Sequence, residues 1–299
     1  MAKLDDVAPP LIYQAPGIRS NRKTGSTNWR EWVPALLEMQ RLKKKGSWSQ
    51  DELIVELGDG NRPVALVGMS DNHVGAWSSD YRLFTAITDQ ILQIPDLYIA
   101  LLSDLGHYAI KLRGVLEVAD NLLPPEQQTD FIDSWLEETH TKIAFCTWDN
   151  HAVERQEKQA GESSYKRLMS RRVPYFNGIG HVTVQVGKQE YKGAVSHMFR
   201  GRSMLNPVHS LMRYMRFEGI DREWALAGDS HVPGMAKYTD GSAIRVAANM
   251  GSTQLNSGFA KRYFSLKTHP VFPLLMFWPD KHQITPVWSV SEYLALRKK

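Results

Sequence analysis

The 299-residue chain holds one cysteine, Cys146. A lone thiol forms no internal disulfide, which excludes a secreted fold stapled by bridges. It also excludes a zinc centre built from several thiolates. No run of about 18 apolar residues occurs, so no segment is expected to span a membrane. The opening MAKLDDVAPP lacks the charged and apolar regions of a signal peptide, and a cytoplasmic location is expected. G-x-S-x-G and G-x-x-x-x-G-K-[ST] are both missing, which removes the serine-hydrolase and P-loop readings. Internal repeats and low-complexity tracts are missing too. Charge of one sign is not in large excess: 36 Lys and Arg stand against 32 Asp and Glu, a net +4.

What the chain does have is apolar content, 42% of residues, and enough length to bury a large core. Its charge is unevenly spread. Between Ala152 and Arg222 there are thirteen basic residues and six acidic ones, an excess of seven that exceeds the whole-chain value. An anionic substrate is best sought there, although solvated helix faces would give the same count.

Residues 1–62 read as a basic, helical appendage and 63–299 as the main domain. WREWVPALLEMQRLKKKG, from Trp29, has helical spacing with Pro34 near its first turn. A second short helix is expected from Ser49, where Glu52 completes a capping box, to Gly58. From Pro63 short apolar strands alternate with helices: VALVGM (Val64 to Met69), a helix from Asp80 to Gln93, DLYIALL (Asp96 to Leu102), a helix through about Ala119, a helix opened by Pro124, and KIAFCTW (Lys142 to Trp148). Such alternation implies parallel pairing in an α/β sheet. After Pro174 the pattern turns to β. HVTVQVG and EYKGAVSHM flank a turn at Gly187 and Lys188, a helix covers Pro207 to Phe217, and REWALAG, MAKYTD, SAIRVAANM, FPLLMFW and HQITPVW follow.

Polar residues gather just past the C-terminal ends of these strands, the place where open α/β sheets bind ligands. They are Asp71-Asn72-His73, Ser103-Asp104-Leu105-Gly106-His107, Asp149-Asn150-His151, Ser196-His197 and Gly228-Asp229-Ser230-His231. Carboxylates, an amide and imidazoles in one place suit Mn, Fe, Zn or Ni ions.

Taken in order, these motifs resemble the calcineurin-like metallophosphoesterases, whose pattern runs D-x-H, G-D-x-x-D/N, G-N-H-D/E, a lone His and G-H-x-H. The resemblance covers Val64 to about Asn249, and it is to nuclease and phosphatase members of prokaryotes and their phages. It implies an α/β sandwich of two mixed β-sheets flanked by helices, with two divalent metal ions at the strand ends. Manganese is the expected metal, with iron, zinc, nickel or magnesium as alternatives. By the same resemblance Asp71 and His73 would bind the first metal with His231, and Asp104 would bridge both. Asn150 and His197 would bind the second metal, and Asp229, in place of the first His of G-H-x-H, would ligate through its carboxylate. His151 would act on the leaving group.

The chain departs from the pattern in places. Ser103 and Asp149 replace glycines and are expected to narrow the site or disturb the metals. His107 stands where the family has Asp or Asn, and Ala152 where it has an acid. Arg200 and Arg202, in SHMFRGRS, either clamp a phosphate or lie on an exposed loop. Trp77 either lines the pocket and stacks on a base or packs internally. His209 is expected at the surface and Cys146 in the core. The implied function is metal-dependent hydrolysis of a phosphoester, with a phosphodiester in DNA or RNA favoured by the basic block and the basic appendage. A phosphomonoesterase acting on phosphoprotein or a small ester is the alternative, and a catalytically impaired binding module the second alternative.

Overall fold

The computed structural model describes residues 33–34, 36–41, 52–109, 118, 120–148, 151, 171–255 and 271–298. The chain divides into two units, Met1–Trp48 and Ser49–Lys299. In the first, residues 33–34 and 36–41 are helical, within the stretch expected to form a helix.

The second unit begins with a strand where a helix was expected. The segment expected as a helix from Ser49 is, over its described residues, strand β1 (Glu52–Glu56). ELIVE alternates with period two, and Leu53 and Val55 turn inward onto the core while Glu52, Ile54 and Glu56 face outward. That pattern, with two β-branched residues, outweighs a capping box that had no helical apolar stripe behind it.

The remaining elements are β2 (Val64–Met69), α1 (Tyr81–Gln93), β3 (Leu97–Leu101), α2 (Pro125–Thr139) and β4 (Ile143–Thr147). β5 (Tyr175–Phe176), β6 (Gly180–Val186), β7 (Gln189–Val195), α3 (His209–Phe217) and β8 (Trp224–Ala227) follow. The chain continues with β9 (Gly234–Asp240), β10 (Ala243–Asn249), β11 (Leu274–Phe277), β12 (Ile284–Val287) and α4 (Val290–Leu296). One sheet of six strands runs β1-β6-β7-β8-β10-β9, and a second, also of six, runs β12-β11-β2-β3-β4-β5. Both are mixed: β2, β3, β4 and β5 are parallel while β11 and β12 are antiparallel, and β7, β8 and β10 are parallel between antiparallel neighbours. The turn at Gly187 and Lys188 falls where expected, with Val186 paired to Gln189, and a second hairpin pairs Asp240 with Ala243.

Burial explains the layering. Every residue of β2 is buried. Ala65, Val67 and Met69 face Phe84 and Ile91 of α1, Ile132, Trp135 and Leu136 of α2, and Tyr293 of α4. Val64 and Leu66 face the other sheet, meeting Val182, Val184, Tyr191, Trp224 and Leu226. A strand covered on both faces loses polar alternation and reads as a continuous apolar run. Each such side chain contributes about 1.5–3 kcal/mol on burial. On the outer face of the first sheet, Ala194, Ala225 and Ala247 leave room for Leu211, Tyr214 and Met215 of α3. The order is therefore helices, sheet, sheet, helix.

Caps fix the helix ends. The Asp80 carboxylate accepts from the Leu83 N–H at 3.0 Å, and Ser289 Oγ accepts from the Glu292 N–H at 3.1 Å to start α4, a helix the sequence reading passed over. The helix expected between β3 and Ala119 falls largely outside the described residues, and residues 102–109 are irregular. Cys146 is fully buried in β4, and His209 is exposed at the start of α3. No helix among the described residues is long and apolar enough to cross a membrane.

Candidate metal centre

Parallel pairing of β2 and β3 does not stop at the strand ends. Beyond them Asp71 N–H donates to Ser103 O (3.0 Å), His73 N–H to Asp104 O (3.1 Å) and Val74 N–H to Leu105 O (2.7 Å). The backbone reaches these bonds through left-handed conformations, with φ of +54° at Asp71, +47° at His73, +74° at Ser103 and +50° at Asp104. Asp229 and His231, beyond β8, are left-handed as well, at +66° and +55°. Non-glycine residues hold such conformations at about 1–3 kcal/mol each, and only where the surroundings dictate them. Here hydroxyls do so: Ser252 Oγ donates to Asp71 O (2.6 Å), Thr253 Oγ1 to Asn72 O (2.9 Å) and Ser79 Oγ to His73 O (2.9 Å).

The side chains so placed converge. His73 Nε2 lies 3.2 Å from His231 Nε2, which is 3.2 Å from Asp71 Oδ1. His197 Nε2 lies 3.3 Å from Asp104 Oδ2. Among the described residues three groups have ligand atoms mutually within 4.8 Å: Asp71 with His73 and His231, Asp71 with Asp104 and His197, and His73 with His107 and His151. Each could hold a metal ion. Their donors are carboxylate oxygen and imidazole nitrogen, a set that fits the borderline divalent ions implied by the sequence motifs.

Hydrogen bonds to the far side of two rings settle which nitrogen faces the centre. His197 Nδ1 lies 2.8 Å from Leu102 O and His151 Nδ1 2.7 Å from His107 O. A carbonyl only accepts, so Nδ1 carries the proton in both rings and Nε2 is aimed inward, the wiring typical of metal-binding histidines. His151 Nε2 stands 3.6 Å from Asp104 Oδ2. Burial alone would push the Asp71 carboxyl up, but His231 foremost, then His197 and the Ser70 hydroxyl, hold it below the usual carboxylate range.

Asp71, His73, Asp104, His151, His197 and His231 are thus brought together from the ends of strands in both sheets. Asp149, Asn150, Ala152 and the basic residues from Arg155 to Arg167 lie outside the described residues. Asp229 belongs to none of the three groups. Its N–H donates to Asp71 Oδ2 at 2.8 Å, its carboxylate forms an ion pair with Arg202, and its Oδ1 is 3.8 Å from His197 Nε2. Arg200 is exposed, and Trp77, on the chain that leaves His73, is 74% exposed rather than packed inside. Ser103 Oγ donates to Thr147 O and lies 3.6 Å from Cys146 Sγ, so it ties β3 to β4.

Three contributors were missed in the sequence. His107, in the sequence a departure from a motif, has its ring centroid 5.6 Å from that of His73 and 5.9 Å from that of His151. Ser252 and Thr253 follow β10, and the rule that polar residues past an apolar strand form the site would have found them.

No protein-family model and no curated protein matches the sequence. The structure is similar to Vacuolar Protein Sorting 29 from Cryptosporidium parvum, at 12% identity and a TM-score of 0.40, over 77% of this chain and 100% of that one. It is similar to a metallophosphoesterase from Sphaerobacter thermophilus, at 14% identity and a TM-score of 0.37, over 79% and 93%. It is also similar to the calcineurin-like phosphoesterase YfkN from Bacillus subtilis, at 9% identity and a TM-score of 0.40, over 76% and 91%.

Proposed function

We propose that the chain is a calcineurin-like metallophosphoesterase that hydrolyses a phosphodiester of nucleic acid. The observation that carries this reading is the convergence of Asp71, His73, Asp104, His197 and His231 into overlapping groups that could each hold a metal ion. In this reading Asp71, His73, His231, Asp104 and His197 would hold the metal, with Asn150 as a further ligand implied by the sequence motif. Divalent metal held there would supply Lewis-acid polarisation of a phosphoryl oxygen and lower the pKa of a water.

The chain's own groups do the rest. Asp71, held anionic, and Asp104 balance the positive charge of the centre. His197, fixed by Leu102 O, keeps Nε2 on Asp104. His151, fixed by His107 O, offers a proton from Nε2 to the departing ester oxygen when the ring is doubly protonated. Arg200 and Arg202 bind the non-bridging phosphate oxygens. Exposed Trp77, on the chain leaving His73, offers a face on which a base stacks. These exposed basic and aromatic residues support a polymeric substrate.

The test compares bis-p-nitrophenyl phosphate, p-nitrophenyl phosphate and oligonucleotides of DNA and RNA with Mn²⁺ present. Oligonucleotide binding should weaken with salt, log affinity falling by about 0.7–0.9 per neutralised phosphate for each log unit of salt. A flat salt dependence with efficient turnover of the monoester would move the reading to a phosphatase.

A further inference from the structure

From the Asp229–Arg202 ion pair we infer that Asp229 is a positioning residue, one that holds the Arg202 guanidinium over the centre to receive a phosphoryl oxygen, and that it is not a metal ligand. The inference rests on the phosphoesterase reading and deepens it.

Asp229 is fastened to the centre by its backbone. Its N–H donates to Asp71 Oδ2 at 2.8 Å, in a left-handed conformation of φ +66°. This bond holds the residue beside a candidate ligand while leaving its carboxylate to another task. That task is visible: one oxygen pairs with Arg202, and the other lies 3.8 Å from His197 Nε2. The carboxylate is therefore a link between an imidazole of the centre and a guanidinium at its mouth. Its side chain is 11% exposed, against 55% for that of Arg202. The anion is thus sunk in the site and the cation projects from it.

Two properties of the guanidinium follow. It has five N–H donors in a planar fork, and an ion pair at one terminal nitrogen, shared with Met198 Sδ at 3.3 Å, leaves others for a ligand. A mobile arginine loses side-chain entropy when it clamps a phosphate, and prior pairing with a buried carboxylate removes much of that loss. An imidazole at position 229, the commoner residue in the motif the chain resembles, would bring a neutral or positive ring to the guanidinium and undo the arrangement. The aspartate is in this account a substitution that exchanges a metal-facing ring for a fixed arginine.

The experiment uses the full chain, wild type and with Asp229→Ala, Asp229→Asn, Arg202→Ala and the double change Asp229→Ala/Arg202→Ala. Three quantities are measured: metal content after loading with Mn²⁺, affinity of the loaded protein for inorganic phosphate, and KM and kcat with bis-p-nitrophenyl phosphate. Every variant should keep the metal content of the wild type. Both alanine variants should weaken phosphate binding and raise KM by a similar factor, about tenfold, the loss of one charge-assisted contact. The double variant should be no worse than Arg202→Ala alone, because the carboxylate acts only through the guanidinium. Loss of a metal equivalent in Asp229→Ala would overturn the inference, as would phosphate affinity unchanged in Arg202→Ala, or losses that simply add in the double variant. A wild-type protein that binds phosphate but turns over no phosphoester would refute the hydrolase reading alone, and the phosphate titration would still decide the role of Asp229.

Discussion

His151 grips Asp104 twice: its main-chain N–H donates to Oδ1 at 3.3 Å, and its Nε2 stands 3.6 Å from Oδ2. The backbone bond orients the carboxylate toward the His151 ring. The two residues lie 47 positions apart, beyond β3 and β4, and only the parallel pairing of those strands makes them neighbours.

Removal of the His151 ring should therefore separate chemistry from metal binding. His151→Ala keeps the main-chain bond to Asp104, so metal content should persist while turnover falls about 10²–10⁴-fold, the usual contribution of a general acid. The deficit should shrink for p-nitrophenyl leaving groups, which need little protonation. Loss of metal in this variant would instead make His151 a ligand, as its group with His73 and His107 allows.

Asp104→Asn removes the negative charge between His197 and His151 but keeps the shape. Activity should vanish and metal content drop, with little change in the apoprotein's melting temperature, because Asp104 lies beyond β3 rather than among the apolar layers. In the wild type, chelation should lower the melting temperature by about 5–10 °C, since a ligand at about a hundred times its Kd stabilises by about 2.7 kcal/mol. Two bound ions and full turnover in the asparagine variant would remove Asp104 from the centre.

Gly228, at the end of β8, is pressed against the first candidate ligand. A Cβ there would meet Ser70 Oγ at 1.8 Å and Asp71 Oδ2 at 2.8 Å. Gly228→Ala should displace Asp71, weaken metal binding by at least tenfold and destabilise the fold by about 1–3 kcal/mol, the range for overpacking. Metal titration together with urea denaturation measures both effects, and a variant matching the wild type in each would show that the strand end yields easily.

Alkaline stability should depend on Tyr293. Burial foremost, with the Asp96 carboxylate nearby, pushes its hydroxyl up to about 12 from 10.0. The hydroxyl donates to Pro63 O at 2.9 Å and Asp96 O at 3.3 Å. A raised folded-state value means the folded protein holds this proton more tightly than the unfolded chain. The stabilisation is present in full below pH 10 and is lost between pH 10 and 12. Its size is about 2–3 kcal/mol, at about 1.4 kcal/mol per pH unit of difference. Urea unfolding at pH 9 and pH 11 should show about half of this loss in the wild type and none of it in Tyr293→Phe, which should start out less stable.

Much of this was legible in the chain itself. Continuous apolar runs as short as VALVGM and IAFCT, alternating with helical stretches, read as strands covered on both faces, so the buried parallel strands were legible. The ligand-type residues were legible as well, since Asp71, His73, Asp104, His197 and His231 are polar residues placed just beyond such runs. Tertiary structure decided the rest. ELIVE became β1 because a sheet edge stood ready beside β6, a partner 129 residues ahead at Ile54 and Thr183 in a register that local spacing cannot reveal. Asp229 turned to Arg202, and His107 turned to His73 and His151, because left-handed turns beyond the strands set the direction of each side chain. Residue type fixes which ligands a side chain can take, and local periodicity fixes its strand. The direction in which it points follows from backbone angles that hydrogen bonds between distant segments impose.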